Sequence, residues 1–111
     1  YIPAFILQAV DGVNPSTWQE EPMWAPGAEV TVTGSVVDSD GVSEAEVLLI
    51  RGSDETVVWS ESLVVSGEAS VTFTVQVVVP ADAEVGEYHF EMEATDGTGV
   101  EMHTGFHVEV E

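Results

Sequence analysis

Apolar and polar residues alternate without a break from Glu87 to Thr95. Tyr88, Phe90, Met92 and Ala94 fall on one face, and Glu87, His89, Glu91, Glu93 and Thr95 on the other. A period of two predicts a strand packed on a core on one side only. The same alternation recurs in 29–37, where Val30, Val32 and Val36 share a face with Gly34 and oppose Glu29, Thr31, Thr33 and Ser35. It returns in 70–79, with Val71, Phe73, Val75, Val77 and Val79 against Ser70, Thr72, Thr74 and Gln76. The last strand, 100–111, points Val100, Met102, Phe106, Val108 and Val110 inward. Segment 44–50 becomes apolar on both faces toward its end, which suits a central strand, and 56–65 reads as a strand bent near Ser60 and Glu61. Asp38-Ser39-Asp40-Gly41, Arg51-Gly52-Ser53-Asp54, Ser66-Gly67-Glu68 and Asp96-Gly97-Thr98-Gly99 supply turns, and 80–85 a crossing loop. No segment has helical periodicity. The expected fold is an all-β antiparallel sandwich of six or seven strands in two sheets.

The first 28 residues break the pattern. Extended, 1–10 is apolar on both faces: Tyr1, Phe5, Leu7 and Ala9 share one with Pro3, and Ile2, Ala4, Ile6 and Val10 the other with Gln8. Such a strand asks for cover on both sides and is not expected at a bare edge. Segment 11–28 carries Pro15, Pro22 and Pro26 with Gly12 and Gly27, which predicts a tether with little regular structure. At about 3.1 Å per residue it could reach roughly 50 Å. Trp18 and Trp24 lie within it and need a surface to pack on. Three readings stay open for 1–10. It is the first strand of its own sandwich, the stub of a longer upstream segment, or a strand donated to the next copy of the chain. Donation repeated head to tail makes a filament, with Tyr1, Ile2, Phe5, Ile6, Leu7, Val10, Trp18 and Trp24 at the interface.

Three stretches in 29–111 carry a family likeness. Pro80-Ala81-Asp82-Ala83-Glu84-Val85-Gly86-Glu87-Tyr88 places Tyr88 after a crossing loop, Glu93-Ala94-Thr95-Asp96-Gly97 ends a strand in Ala-x-Asp-x-Gly fashion, and Val37-Asp38-Ser39-Asp40-Gly41 forms an Asp-x-Asp turn. Together they resemble an immunoglobulin-like domain of the kind found in cadherins and prokaryotic surface proteins. The resemblance implies a sandwich in which Tyr88 is the tyrosine-corner residue. Phe90 stands where the second cysteine of a disulfide-bonded relative would be.

Charge is the extreme feature of the composition. Twenty-one carboxylates face a single basic residue, Arg51, for a formal net charge of −20 in 111 residues. Such a surface repels nucleic acid and anionic lipid, so neither is an expected partner. It also repels itself, which points to high salt, to divalent cations, or to a core able to hold the fold against the strain. There is no cysteine, hence no disulfide and no thiolate metal site. No stretch is long enough to span a membrane.

The acidic turns and the histidines are the candidate chemistry. If alternate strands run the same way, the turns after them gather at one end and bring Asp38, Asp40, Glu68 and Asp96 together as oxygen ligands for calcium; the alternative is that Asp and Gly merely make good turns. A three-residue turn over Gly97–Gly99 would pair Ala94 with Met102, Phe90 with Phe106 and Tyr88 with Val108. The outer face would then set His89 opposite His107 and Glu93 opposite His103. Cross-strand neighbours lie about 5 Å apart, close enough for His89 and His107 to share a metal, although surface or interface histidines are the plainer reading. No Ser-His-Asp spacing and no phosphate loop occur, so catalysis is not expected. The reading is an extracellular, non-enzymatic structural subunit of a surface filament, pilus-like or layered, whose partners are copies of itself. Its rivals are an adhesion or ligand-binding module of a larger surface protein, calcium-binding or not, and a metal-storing or metal-sensing domain.

Overall fold

In the computed structural model, residues 4–111 are described; Tyr1, Ile2 and Pro3 lie outside them, and with them the interface role expected of Tyr1 and Ile2. Eight strands occur among the described residues: β1 (Ala4–Val10), β2 (Met23–Trp24), β3 (Glu29–Val37), β4 (Val42–Arg51), β5 (Thr56–Ser62), β6 (Ser70–Val78), β7 (Gly86–Asp96) and β8 (Glu101–Val110), with one 3-10 turn at Pro15–Thr17. They form a three-stranded sheet, β1-β3-β6, facing a five-stranded sheet, β2-β8-β7-β4-β5. The fold is an immunoglobulin-like β-sandwich. Every pairing is antiparallel except β2 with β8, which is parallel.

The inward rows meet as their alternation requires. Val30 and Val32 of β3 and Phe73, Val75 and Val77 of β6 pack toward Val47 and Leu49 of β4, Tyr88, Phe90 and Met92 of β7, and Val108 and Val110 of β8. Phe73 pairs across the sheet with Gly34, and a Cβ there would crowd both its ring and the carbonyl of Ile6, so the inward glycine makes room for the aromatic ring. At the corner before β7 the Tyr88 hydroxyl donates to the Glu84 carbonyl at 2.7 Å while its ring is buried. This is the bond that the tyrosine-corner resemblance implies.

Two expectations about the N-terminal region are corrected. First, β1 is an edge strand: β3 of its own molecule is the one strand it pairs with among the described residues, Ala4 opposite Val37 and Val10 opposite Val32. Its two faces are not equally sheltered. Phe5 and Leu7 pack on the core, whereas Ile6 stays 51% exposed. A register shift between Leu7 and Ala9 lets Val10 turn inward and become buried. The apolar second face is tolerated at the surface rather than covered.

Second, 11–28 is folded onto the sandwich. Three strands cannot cover five, and this segment closes the uncovered flank beside β8. The Glu109 amide donates to the Pro22 carbonyl at 3.0 Å and the Glu111 amide to the Trp24 carbonyl at 3.2 Å. Trp24 is buried, with its ring edge-on to Phe90 and Phe106, and Trp18 lies edge-on to Phe106 at 5.2 Å between centroids. The need of both indoles for a surface is met within the chain.

Smaller departures have local causes. β4 begins at Val42 because Val42 bonds across to the neighbouring turn, its amide donating to the Glu68 carbonyl. β5 ends at Ser62, and its irregularity lies opposite Leu49 and Ile50 rather than at Ser60 and Glu61.

Replacing Trp24 with alanine is expected to cost about 3–5 kcal/mol of stability, the usual range for a buried aromatic. Tyr88→Phe should cost about 1 kcal/mol, the worth of one hydrogen bond. Urea denaturation of both variants checks the order; equal losses would mean that the flank segment is not part of the core.

Candidate metal centre

Two groups of possible ligands stand out, at different places on the sandwich. The first is at the end where the turns after β3, β5 and β7 meet. Backbone bonds lock the turns together: Asp38 donates to Ala69, Gly67 to Val42, and Gly97 to Gly41. Asp38 and Asp96 are carried into this junction and are only 4% and 1% exposed. One oxygen of each has partners. Asp38 Oδ1 accepts from the Asp40 amide at 2.7 Å, and Asp96 Oδ1 accepts from the Thr98 amide, the Thr98 hydroxyl and the Val100 amide at 2.7–2.9 Å. The other oxygen, Oδ2 in both residues, is buried with no hydrogen-bond partner.

Asp38, Asp40 and Asp96 each bring a carboxylate oxygen to within 4.8 Å of the others. The Thr98 hydroxyl bond outweighs the opposing effect of burial and, with the amides of Val100 and Thr98, holds Asp96 below the ordinary carboxylate range. Asp96 is therefore an anion at neutral pH in a place that water does not reach. Glu68 does not join the group. It turns back on its own turn, where the Ser66 amide and hydroxyl donate to it, so the expected four-residue set is three.

The second group lies on the outer face of the five-stranded sheet. The turn between β7 and β8 is closed by Asp96 and Val100, and the register sets Phe90 opposite Phe106, His89 opposite His107 and Glu93 opposite His103. All three histidines of the chain thus share one face of one hairpin. The rings of His89 and His107 are 4.2 Å apart between centroids and tilted by 53°. His107 Nδ1 lies 2.6 Å from Glu87 Oε1, and His103 Nδ1 lies 2.8 Å from Glu93 and 3.5 Å from Glu91. The pairings of the histidines follow from a period of two and a three-residue turn. Glu87 and Glu91 are the partners that sequence reasoning missed, though they flank His89 in the same outward row. Glu21 has no sequence signal at all: it belongs to the flank segment and meets Glu87 and Glu109 only because that segment docks there.

The carboxylates of this face are perturbed in opposite senses. Burial raises Glu21, Glu93 and Glu109; repulsion and hydrogen bonding with Glu87 add to it at Glu21 and Glu109, whereas at Glu93 the nearby His103 opposes it. Burial also pushes Glu87 up, but hydrogen bonds with His107 and Glu21 outweigh it and the group sits low. Arg51, the one cation of fixed charge, is engaged elsewhere. It makes a two-pronged contact with Asp54, at 2.9 and 2.7 Å, which holds Asp54 below the ordinary range.

The family described as "Domain of unknown function (DUF4625)" matches residues 10–111. No curated protein sequence matches the chain. Among solved structures, CopC from Methylosinus trichosporium OB3b is similar with a TM-score of 0.53 at 12% identity, over 97% of this chain and 94% of that one. A Niemann-Pick type C2 protein from the Japanese carpenter ant is similar with a TM-score of 0.61 at 11% identity, over 97% and 89%. At these identities the likeness speaks for the fold alone. No helix among the described residues is long and apolar enough to cross a membrane.

The pKa shifts predict an acid-side stability maximum. A carboxyl held high, as at Glu21, Glu93 and Glu109, binds protons more readily folded than unfolded, so folding gains as pH falls from neutral through its raised pKa. Asp54, held low, contributes above its unfolded value near 4 and loses that contribution as pH falls further. Melting temperatures in EDTA should therefore rise and then fall as pH is lowered; a monotonic fall from pH 7 contradicts this.

Proposed function

Since the chain belongs to the DUF4625 family, whose description assigns no activity, we propose from its site geometry that it is a non-enzymatic, calcium-binding immunoglobulin-like module of an extracellular surface protein. The observation that carries this reading is the pair of buried, partnerless oxygens, Asp38 Oδ2 and Asp96 Oδ2, converging with Asp40. Burying a carboxylate without a partner is costly, and folded proteins pair such groups or give them to a metal. The one arginine is bound to Asp54 at a distant turn and does not reach the two buried oxygens. Calcium takes carboxylate and carbonyl oxygens without strict geometry. Asp38, Asp40 and Asp96 would hold it, with turn carbonyls and water completing the shell. Bound there, the ion ties the turns after β3 and β7 together and fixes that end of the sandwich.

Strand donation is the less favoured role. Ala4–Val10 already occupies the edge of its own β3, and a filament built through it would first have to strip that pairing. The in-chain pairing favours a self-contained module, adhesive or structural, within a larger protein.

Two measurements test the reading. Calcium should raise the melting temperature well beyond an equal ionic strength of sodium chloride, and Asp38→Asn with Asp96→Asn should erase that gain. In EDTA the same double variant should be no more stable than the parent, because the donors that hold Asp96 low favour its anion in the folded state. A calcium response unchanged by the two substitutions would overturn the site. Separately, deleting residues 1–10 should destabilise the monomer. A deletion that leaves stability intact but dissolves polymers formed by the parent would restore the filament reading.

A further inference from the structure

The histidine face has the features of a second and different cation site. Gly105 sits in the middle of β8 on the outward row, opposite Glu91. A Cβ there would run into the carbonyl of Phe90, so the strands can be this close only with glycine. Its missing side chain leaves a groove of about 270 Å³ whose lining includes His89, His103, His107 and Glu91. Every imidazole of the protein borders this one depression.

The surroundings lack positive charge. Glu87 stands directly across from Glu109, and Glu93 directly across from Glu46. Like charges in directly opposed positions destabilise a sheet, and Arg51 is committed to Asp54. What the face lacks is a cation from outside. Imidazole nitrogen selects which one: it suits zinc, copper and nickel, whereas calcium and magnesium prefer an all-oxygen shell.

We propose that the outer face of the β7–β8 hairpin binds a divalent transition-metal ion of the zinc or copper class through His89, His107 and Glu87. One ligand atom from each of these residues lies within 4.8 Å of the other two. Two imidazoles and a carboxylate make three of the four tetrahedral positions and leave one for water or an exogenous ligand. His103, with Glu91 and Glu93, gathers in the same way on the other side of Gly105 and forms a second, single-imidazole site. The proposal is independent of the calcium reading. It uses other residues, on a face rather than at an end, and selects ions by nitrogen rather than by oxygen.

The test is calorimetric titration of zinc chloride into the full chain, with calcium present throughout so that the acidic turns are not the responding site. Saturable binding is expected. Replacing His89 and His107 together with alanine should weaken the tighter step by at least about tenfold. The same pair changed to glutamine preserves bulk and guards against a folding effect, which circular dichroism monitors. Asp38→Asn with Asp96→Asn should leave zinc binding unaltered. Copper(II) bound to the parent should show electron paramagnetic resonance couplings from two imidazole nitrogens. The proposal is overturned if either histidine pair variant binds zinc within about twofold of the parent, if the aspartate variant abolishes zinc binding, or if the copper spectrum shows oxygen ligands only.

Discussion

The structure depends on one strand keeping strict alternation through the middle of the larger sheet. β7 lies between β8 and β4, and its inward residues Tyr88, Phe90 and Met92 are buried to within a few per cent. Because the period is two, the burial of that row fixes the outward direction of Glu87, His89, Glu91 and Glu93. A slip of one residue would bury three carboxylates and an imidazole. The core therefore orients the outer face as well, and its last inward position delivers Asp96 to the junction of the turns, where it is 1% exposed. Hydrophobic burial is the force that places both sets of candidate ligands.

It must do so against the charge. With a net charge of −20, mutual repulsion favours expansion, and only salt, protons or bound cations relieve it. Glu21, Glu93 and Glu109, held above the usual carboxylate range, and Asp54 and Asp96, held below it, show that the burden is uneven. Carboxylates that find a donor become more acidic, and those pressed against one another and against the sheet become less so.

How much of this was legible in the sequence follows from what each part rests on. The β7–β8 register, including His89 opposite His107, follows from alternation and a glycine-bounded turn, both of which are local. Tyr88 and its crossing loop carry a family likeness that the Glu84 contact matches. The docking of 11–28 is not local. Pro15, Pro22 and Pro26 correctly exclude long elements, but nothing in their spacing says that Trp24 fills a flank left open when three strands face five. The status of β1 misleads for a related reason. Apolar residues on both faces suggest cover on both sides, yet a small sheet can leave a residue such as Ile6 half exposed at modest cost. Glu68 illustrates the limit for sites: the turns do meet, but a two-residue reach back to Ser66 captures its carboxylate first.

The path of the chain has a mechanical consequence. Ala4 lies opposite Val37, beside the aspartate turns, whereas Val110 lies opposite Gly86 at the far end of the same sandwich. The first described strand thus starts at one pole and the last ends at the other, along a body about 40 Å in its longest dimension. Tension between the two poles would run along the strands and load the bonds between β1 and β3 and between β7 and β8 in shear rather than unzip them one at a time. Strung in series, such domains would resist extension until a whole row of contacts gave way at once.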